Sequence, residues 1–188
     1  MATQLTTPPL QQTGCLTLDA AYRAFEGDPQ HSIPFPVWLL ENPDSPLSFP
    51  GQIYLREHDY LHILLDRGVS AEDEAFIIGF TMGNDPGTTK RITSAFKFAA
   101  QYIYPKVYRF KKSHLMIFDC GFSFGQKTKV KNLNSLDYSN YLGYDVADLR
   151  MIFGIDVKSI QDLLGISPNK PWRSDDSAVR LSSSAIER

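Results

Sequence analysis

Cysteine and long apolar runs are both scarce in this chain of 188 residues. The two cysteines, Cys15 and Cys120, lie far apart and form no C-x-x-C pair, so neither a disulfide framework nor a thiolate zinc site is expected. No stretch approaches the roughly 18 consecutive apolar residues that a transmembrane helix needs. We therefore expect that the chain does not span a bilayer.

An excess of charge of one sign is also missing. The formal net charge is −2, which supplies no overall electrostatic reason to bind nucleic acid or an anionic membrane. Nucleic acid is not an expected partner, and any basic surface must be local. Residues 1–14 lack the features of a signal peptide or a mitochondrial presequence. This predicts a cytoplasmic protein, with peripheral contact on the inner face of a membrane left open.

The remaining composition is that of an ordinary globular protein. With 43% hydrophobic and 21% charged residues, the chain is long enough for one domain with a substantial core. Residues 1–15 and 167–188 are polar and weakly patterned, which predicts flexible arms at both ends. Residues 16–166 form the predicted folded body.

Apolar positions recur at helical spacing through most of this body, which predicts a single all-α domain. Predicted helices cover residues 16–25, 37–41, 52–65, 71–82, 85–104 and 146–153, whereas 107–118 is undecided between helix and strand. The helix at 71–82 is apolar nearly all round, which indicates a buried central helix. Gly79 and Gly83, one turn apart, predict close approach of another backbone.

Metal-ligating side chains are concentrated between residues 58 and 74. At 3.6 residues per turn, His58, His62 and Asp59 lie at about 0°, 40° and 100° around one helix, so their side chains can converge. A turn at Gly68 would return the chain antiparallel, and Glu74 in the next helix would then face the same point. Two imidazoles with carboxylate oxygens suit Zn²⁺, Fe²⁺ or Mn²⁺.

Two alternatives compete with a metal site. An isolated H-D-x-x-H pattern on an exposed helix is often only surface polarity. Glu74 argues against this, because an unsatisfied carboxylate at the head of a buried helix costs on the order of several kcal/mol. A zincin-like peptidase uses H-E-x-x-H, with Glu as the base, whereas this chain has the shorter Asp59 at that position.

The string from His58 to His62 (HDYLH), followed after eleven residues by Glu74, resembles the signature of the ubiquinone (coenzyme Q) biosynthesis protein four family. A weaker likeness extends over residues 46–155 and includes the segments 121–127 (GFSFGQK) and 149–155. The flanks differ from the usual pattern, since Arg56-Glu57 precedes the motif and Ala75-Phe76 follows Glu74. These departures suggest a bacterial-type member.

The resemblance implies an all-helical fold with a metal-binding helical hairpin and a hydrophobic lipid channel. It implies metal ligands at His58, Asp59, His62 and Glu74, with one divalent ion (Zn, Mg or Fe) as the cofactor. The implied partners are a prenylated quinone precursor or another isoprenoid lipid, other quinone-biosynthesis enzymes and a membrane surface. We also expect a homodimer.

The resemblance implies a metal-dependent protein of isoprenoid-quinone biosynthesis that binds a prenylated precursor. The expected reaction is oxidative decarboxylation of the ring of a prenylated precursor, with Asp59 and Glu74 as catalytic proton carriers. The alternative is a non-catalytic isoprenoid-lipid-binding or scaffold protein that organises quinone-biosynthesis enzymes.

Several apolar and basic residues have both a functional and a plain structural interpretation. The candidate lipid-binding residues are Phe76, Ile77, Phe80 and Met82, although apolar side chains at helical spacing are more often core. The same choice applies to an aromatic series further along, comprising Phe96, Tyr102, Tyr104, Tyr108 and Phe110. A basic run could meet lipid headgroups or simply be solvated; it consists of Lys127, Lys129 and Lys131.

Overall fold

The computed structural model describes residues 13–25, 42–46 and 48–165. These residues form helices joined by turns, and within them the only β-type pairing is one isolated bridge between Thr17 and Asp145. The prediction of an all-α chain is confirmed. Most of the predicted N-terminal arm, the predicted helix at 37–41 and the C-terminal arm lie outside the described residues.

Within those ranges, α-helices follow one another along the chain as α1 (Leu18–Ala24), α2 (Leu55–Leu65), α3 (Ala71–Asn84), α4 (Lys90–Phe98), α5 (Lys112–Lys127), α6 (Val146–Phe153) and α7 (Val157–Leu164). The π-helical turn Ala99–Ile103 continues α4. Short 3-10 turns link the later helices, at Lys106–Tyr108, Leu133–Ser135 and Tyr138–Tyr141. None of the described helices combines the length and apolar composition needed to cross a membrane.

Capping residues set helix boundaries that differ from several predictions. Helix α2 begins at Leu55 rather than at the predicted residue 52, and it ends at the predicted Leu65, after which Asp66 adopts a left-handed conformation with φ of 56°. Helix α4 begins only at Lys90, because the Thr89 side chain accepts a hydrogen bond from the amide of Ile92. Its predicted start at residue 85 is therefore wrong, and residues 85–88 form a turn instead.

Two later segments also depart from the prediction. Residues 107–118, undecided from the sequence, are divided between a 3-10 turn and the first turns of α5. Helix α7 lies within the predicted body but was not expected as a separate helix. Asp156 caps it by accepting a hydrogen bond from the amide of Ser159, an arrangement that favours helix initiation.

Glycines bring α3 and α5 into backbone contact. A Cβ on Gly79 would collide with the carbonyl oxygen of Phe118, and a Cβ on Gly121 would collide with that of Phe76. The next glycine on each helix repeats the contact one turn later: Gly83 on α3 and Gly125 on α5. Contacts advance in the same direction along both helices, so they run parallel. The predicted close approach at Gly79 and Gly83 is confirmed, with α5 as the partner.

Helix α3 contributes side chains to both apolar clusters of the core. The larger cluster joins α3 to α1, α2, α6 and α7, and the smaller joins it to α4, the π-helical turn and α5. A helix that serves two clusters needs apolar residues on most of its surface. The predicted central position of α3 is therefore confirmed.

Arg150 of α6 anchors the C-terminal end of α2. Its guanidinium donates to the carbonyl oxygens of Leu64 at 2.8 Å and Ile63 at 2.9 Å. It also lies 3.7 Å from the carboxylate of Asp66, which accepts a hydrogen bond from Gln161 at 3.2 Å. Carbonyls at a helix end have no partner within the helix, so these contacts fix the position of α2 against α6 and α7.

Candidate metal centre

Helix α2 places two histidines one turn apart on the face that meets α3. The rings of His58 and His62 have centroids 4.5 Å apart and are nearly perpendicular, at 75°. The side chain of His62 is 1% exposed and that of His58 is 16% exposed. One imidazole is therefore enclosed, while the other reaches the edge of the site.

The first turn of α3 supplies the carboxylate. Ser70 and Asp73 form a capping box, in which the Ser70 hydroxyl accepts from the Asp73 amide at 3.2 Å and the Asp73 carboxylate accepts from the Ser70 amide at 3.2 Å. Arg67 forms an ion pair with Asp73. The turn between α2 and α3 is thereby held in one conformation, and Glu74 is the next residue along.

Glu74 bridges the two imidazoles. His58 Nε2 lies 3.3 Å from Oε2 of Glu74, and His62 Nε2 lies 3.3 Å from Oε1. One ligand atom from each of the three residues lies within 4.8 Å of the other two. The three predicted residues are therefore brought together into a group that could hold a metal ion.

The charges in this group act strongly on one another. Burial alone would raise the pKa of Glu74, but the two facing imidazoles outweigh it and hold the pKa well below its usual value. Burial alone would lower the pKa of His62, yet the nearby Glu74 carboxylate raises it overall. A carboxylate must be ionised to bind a metal ion through its oxygens, and the lowered pKa keeps Glu74 in that state.

The residues fit a divalent metal by the chemistry of their donors. Two imidazole nitrogens and one carboxylate are the ligand set of open zinc and non-haem iron sites. His62 Nδ1 is buried without a hydrogen-bond partner among the described residues, and Phe25 stacks on the same ring with centroids 5.5 Å apart. Packing, rather than a hydrogen bond to Nδ1, therefore orients this imidazole.

Asp59 lies outside the group of three. Asp59 follows His58 on α2, about 100° further round the helix, and is buried at 9% exposure. Burial and then the negative charge of Asp59 raise the pKa of Tyr22 on α1. The same charge is one of several that act on His62. The assignment of Asp59 as a fourth ligand and a proton carrier stays a prediction.

No family model, no curated protein and no solved structure matches this chain. The resemblance carried by the HDYLH string and Glu74 therefore stays a prediction. The metal-site interpretation rests on the geometry of His58, His62 and Glu74.

A shallow, open pocket lies beside His58 and encloses only about 20 Å³, roughly the room that one water molecule needs. Its apolar walls are Phe49, Ile53, Ile78, Met82 and Phe96, and its polar lining includes Gln52, Thr81 and His58. The wall formed by residues 49–53 is fixed from both sides. The Gly51 amide donates to Asp85 at 2.8 Å, and Asn134 donates to the Gln52 carbonyl at 2.8 Å.

The predicted lipid-binding residues are divided between the core and this pocket. Phe76, Ile77 and Phe80 are fully buried in the larger cluster. Met82 belongs to the smaller cluster and also lines the pocket. The basic run is partly structural, since the Lys131 ammonium donates to two carbonyls at the end of α5.

Nothing in the sequence indicated Phe25 or Phe49, and Phe96 was expected only as a member of the aromatic series. Phe25 packs on His62, and Phe49 and Phe96 form an edge-on pair in the pocket wall with centroids 5.8 Å apart. These contacts join segments far apart in the chain, so no local spacing indicates them.

Proposed function

We propose that this chain binds a divalent metal ion through His58, His62 and Glu74 and works in isoprenoid-quinone metabolism. The observation that carries the metal site is the approach of both Nε2 atoms to the two oxygens of one carboxylate, each at 3.3 Å. The quinone assignment is supported by the resemblance of the HDYLH string and Glu74 to the ubiquinone biosynthesis protein four family.

The proposed role of the site is to hold the polar head of a prenylated aromatic acid. A bound divalent ion supplies a Lewis acid that attracts a carboxylate. His62 provides an enclosed nitrogen ligand, and His58 provides a ligand at the mouth of the site. The arrangement suits a headgroup that approaches from the side of His58.

The shallow pocket beside His58 is the proposed contact surface for the ring, and its enclosed volume of about 20 Å³ leaves most of the ring and the tail on its open side. Its walls include Phe49, Ile78 and Met82, which offer aromatic and aliphatic contact, as ligand pockets usually do. Thr81 and Gln52 add polar groups that suit ring substituents. Phe76, Ile77 and Phe80 are packed within the core, so no surface of theirs is open to the tail, and their contact with it stays a prediction.

Two versions of the function differ in whether the chain performs chemistry. The enzyme version is oxidative decarboxylation of the precursor ring, with Asp59 or Glu74 moving a proton. One observation favours the binding version: the imidazoles hold the pKa of Glu74 well below its usual value, which suits a permanent ligand better than a proton carrier. In that version the chain presents isoprenoid lipids to partner enzymes without converting them.

Metal binding is tested by elemental analysis and by competition titration with a zinc chelator. Glu74→Gln removes one ligand charge and should weaken zinc binding by more than the roughly 10- to 100-fold typical of outer-shell changes. Glu72→Gln is the matched control, because Glu72 is an exposed acid in the same helical turn. Equal affinity of the two variants would reject Glu74 as a ligand.

The two versions are separated by mass spectrometry of lipid that co-purifies with the native protein. Conversion of a carboxylated prenylated precursor under aerobic conditions, lost in a folded His62→Ala variant, supports the enzyme. Recovery of the same precursor unchanged supports the binding protein. Absence of both metal and isoprenoid lipid from the native protein counts against both versions.

A further inference from the structure

The two ring nitrogens of His62 have different surroundings. Nε2 lies 3.3 Å from Oε1 of Glu74, whereas Nδ1 is buried and has no hydrogen-bond partner among the described residues. The side chain is 1% exposed, so bulk water does not reach the ring. Most buried polar side-chain atoms in proteins are hydrogen-bonded, which makes the bare Nδ1 a feature that needs an explanation.

Phe25 lies where a partner for this imidazole could stand. Its ring stacks on the ring of His62, with centroids 5.5 Å apart and an angle of 30° between the planes. A phenyl ring has no polar atom that can accept a hydrogen bond. The N–H bonds of an imidazole lie in its own plane, so they do not point at a ring stacked on its face. Phe25 therefore covers His62 without pairing with it.

Helix α1 holds Phe25 in this position. The Phe25 amide donates to the Tyr22 carbonyl at 3.1 Å and so caps the C-terminal end of α1. Its side chain is 8% exposed and belongs to the larger cluster. At the other end of α1, the Leu18 amide donates to the Tyr144 carbonyl at 3.0 Å. Phe25 thus reaches His62 from an anchored helix that carries no metal ligand.

A metal ion makes a specific demand on Nδ1. Without a metal, the proton of neutral His62 belongs on Nε2, where it faces Glu74; a neutral ring that binds metal through Nε2 carries its proton on Nδ1 instead. Metal-binding histidines usually donate that second N–H to a carboxylate, a carbonyl or water, and losing such a partner typically weakens metal binding 10- to 100-fold. His62 has no such partner, whereas His58 is 16% exposed and open to water.

We propose that Phe25 is a positioning residue that leaves His62 Nδ1 without an acceptor and thereby keeps the metal ion exchangeable. The inference rests on the metal site proposed above and concerns its regulation. An acceptor at Nδ1 would favour permanent occupancy, whereas its absence lets occupancy follow the concentration of free metal. A role for Phe25 in filling the core alone predicts that a polar substitute weakens zinc binding. The proposal predicts the opposite.

The first test compares substitutions of Phe25 by zinc-chelator competition on the full chain. Phe25→Gln places an amide oxygen, which can accept from Nδ1–H, on a side chain of similar length. It should bind zinc about 10-fold more tightly than Phe25→Leu, which supplies no acceptor and should bind no more tightly than the wild type. Phe98→Gln is the matched control, because Phe98 is 59% exposed on α4, and it should bind as the wild type does. A Phe25→Gln affinity no higher than that of Phe25→Leu overturns the proposal.

The second test uses the wild-type protein and does not depend on any variant folding. NMR of the protein with isotope-labelled histidine, at mildly alkaline pH and with His62→Ala to assign the signals, reports which ring nitrogen carries the proton. Zinc should move the proton from Nε2 to Nδ1, at a chemical shift typical of an N–H without an acceptor. A strongly downfield Nδ1 proton, as in a hydrogen bond, overturns the proposal while the metal site stands. Zinc that leaves the His62 signals unchanged rejects the metal site itself, and the inference with it.

Discussion

A single carboxylate between two imidazoles is the central residue-scale feature of this protein. The arrangement is stable without a metal when an imidazole is protonated and pairs with Glu74. It is equally suited to a metal when both imidazoles are neutral. Protons and metal ions therefore compete for the same nitrogen atoms.

The competition predicts how pH acts on the metal-free protein. The pKa of His62 is raised by Glu74 after burial has opposed it, so its stabilising ion pair is present below the usual histidine pKa and is lost as pH rises through the raised value. The pKa of Glu74 is lowered, so its ionised carboxylate stabilises the folded state above the usual glutamate pKa. That stabilisation is lost as the pH falls towards the lowered pKa. Metal-free protein should thus be most stable at mildly acidic pH.

Zinc affinity should follow the opposite trend, rising with pH through the raised pKa of His62 until the imidazole is fully deprotonated. Chelator competition at a series of pH values measures this. The Glu72→Gln variant should show the same slope as the wild type. An affinity that does not vary with pH across this range would show that His62 is not a ligand.

At the scale of elements, the contact between α3 and α5 depends on backbone approach at glycines. Gly121→Ala places a methyl group against the carbonyl of Phe76, and the helices must separate or shift to admit it. Overpacking of this kind costs about 1–3 kcal/mol. Urea denaturation should show that loss in the free energy of unfolding.

Gly143 offers a matched control for the glycine substitution. A Cβ at Gly143 would meet nothing within 4 Å, so Gly143→Ala should leave stability unchanged or raise it by about 0.4–1 kcal/mol. If Gly121→Ala is as mild as Gly143→Ala, the close packing of α3 on α5 is not present in solution.

A second element-scale prediction concerns the end of the metal-bearing helix. Arg150→Met removes the donors to the Ile63 and Leu64 carbonyls and leaves buried Asp66 without its cation. Unsatisfied buried groups cost about 1–3 kcal/mol, and thermal denaturation should report a loss in that range. Arg23→Met is the control, because among the described residues Arg23 forms an exposed ion pair with Asp19, worth about 0–1 kcal/mol.

Local patterns predicted the parts of this protein that depend on neighbours in sequence. The spacing of His58 and His62 indicated their shared face, and the nearly continuous apolar sequence of residues 71–82 indicated a buried helix. The distant supports were beyond such patterns, because Arg150 and Leu64 are 86 residues apart. The end of α2 at Leu65 was predicted, but the residue that takes the left-handed conformation after it is Asp66 rather than a glycine.

At the scale of the whole molecule, the metal group joins α2 to the central helix α3. Glu74 heads α3, and both histidines lie on α2, so an ion held by all three ties together elements that pack in the same larger cluster. A ligand that binds only the folded state stabilises it by mass action. Metal binding should therefore be measurable as stability of the whole domain.

Thermal denaturation with increasing zinc should raise the midpoint temperature progressively. At zinc concentrations 100 times the dissociation constant the gain is about 2.7 kcal/mol, or roughly 5–10 °C for a domain of this size. Glu72→Gln should show the full rise, whereas Glu74→Gln should show little, because the two helices no longer share the ion. A rise of equal size in both variants would place the zinc elsewhere on the chain, and the exposed acids rather than the buried group would then account for it.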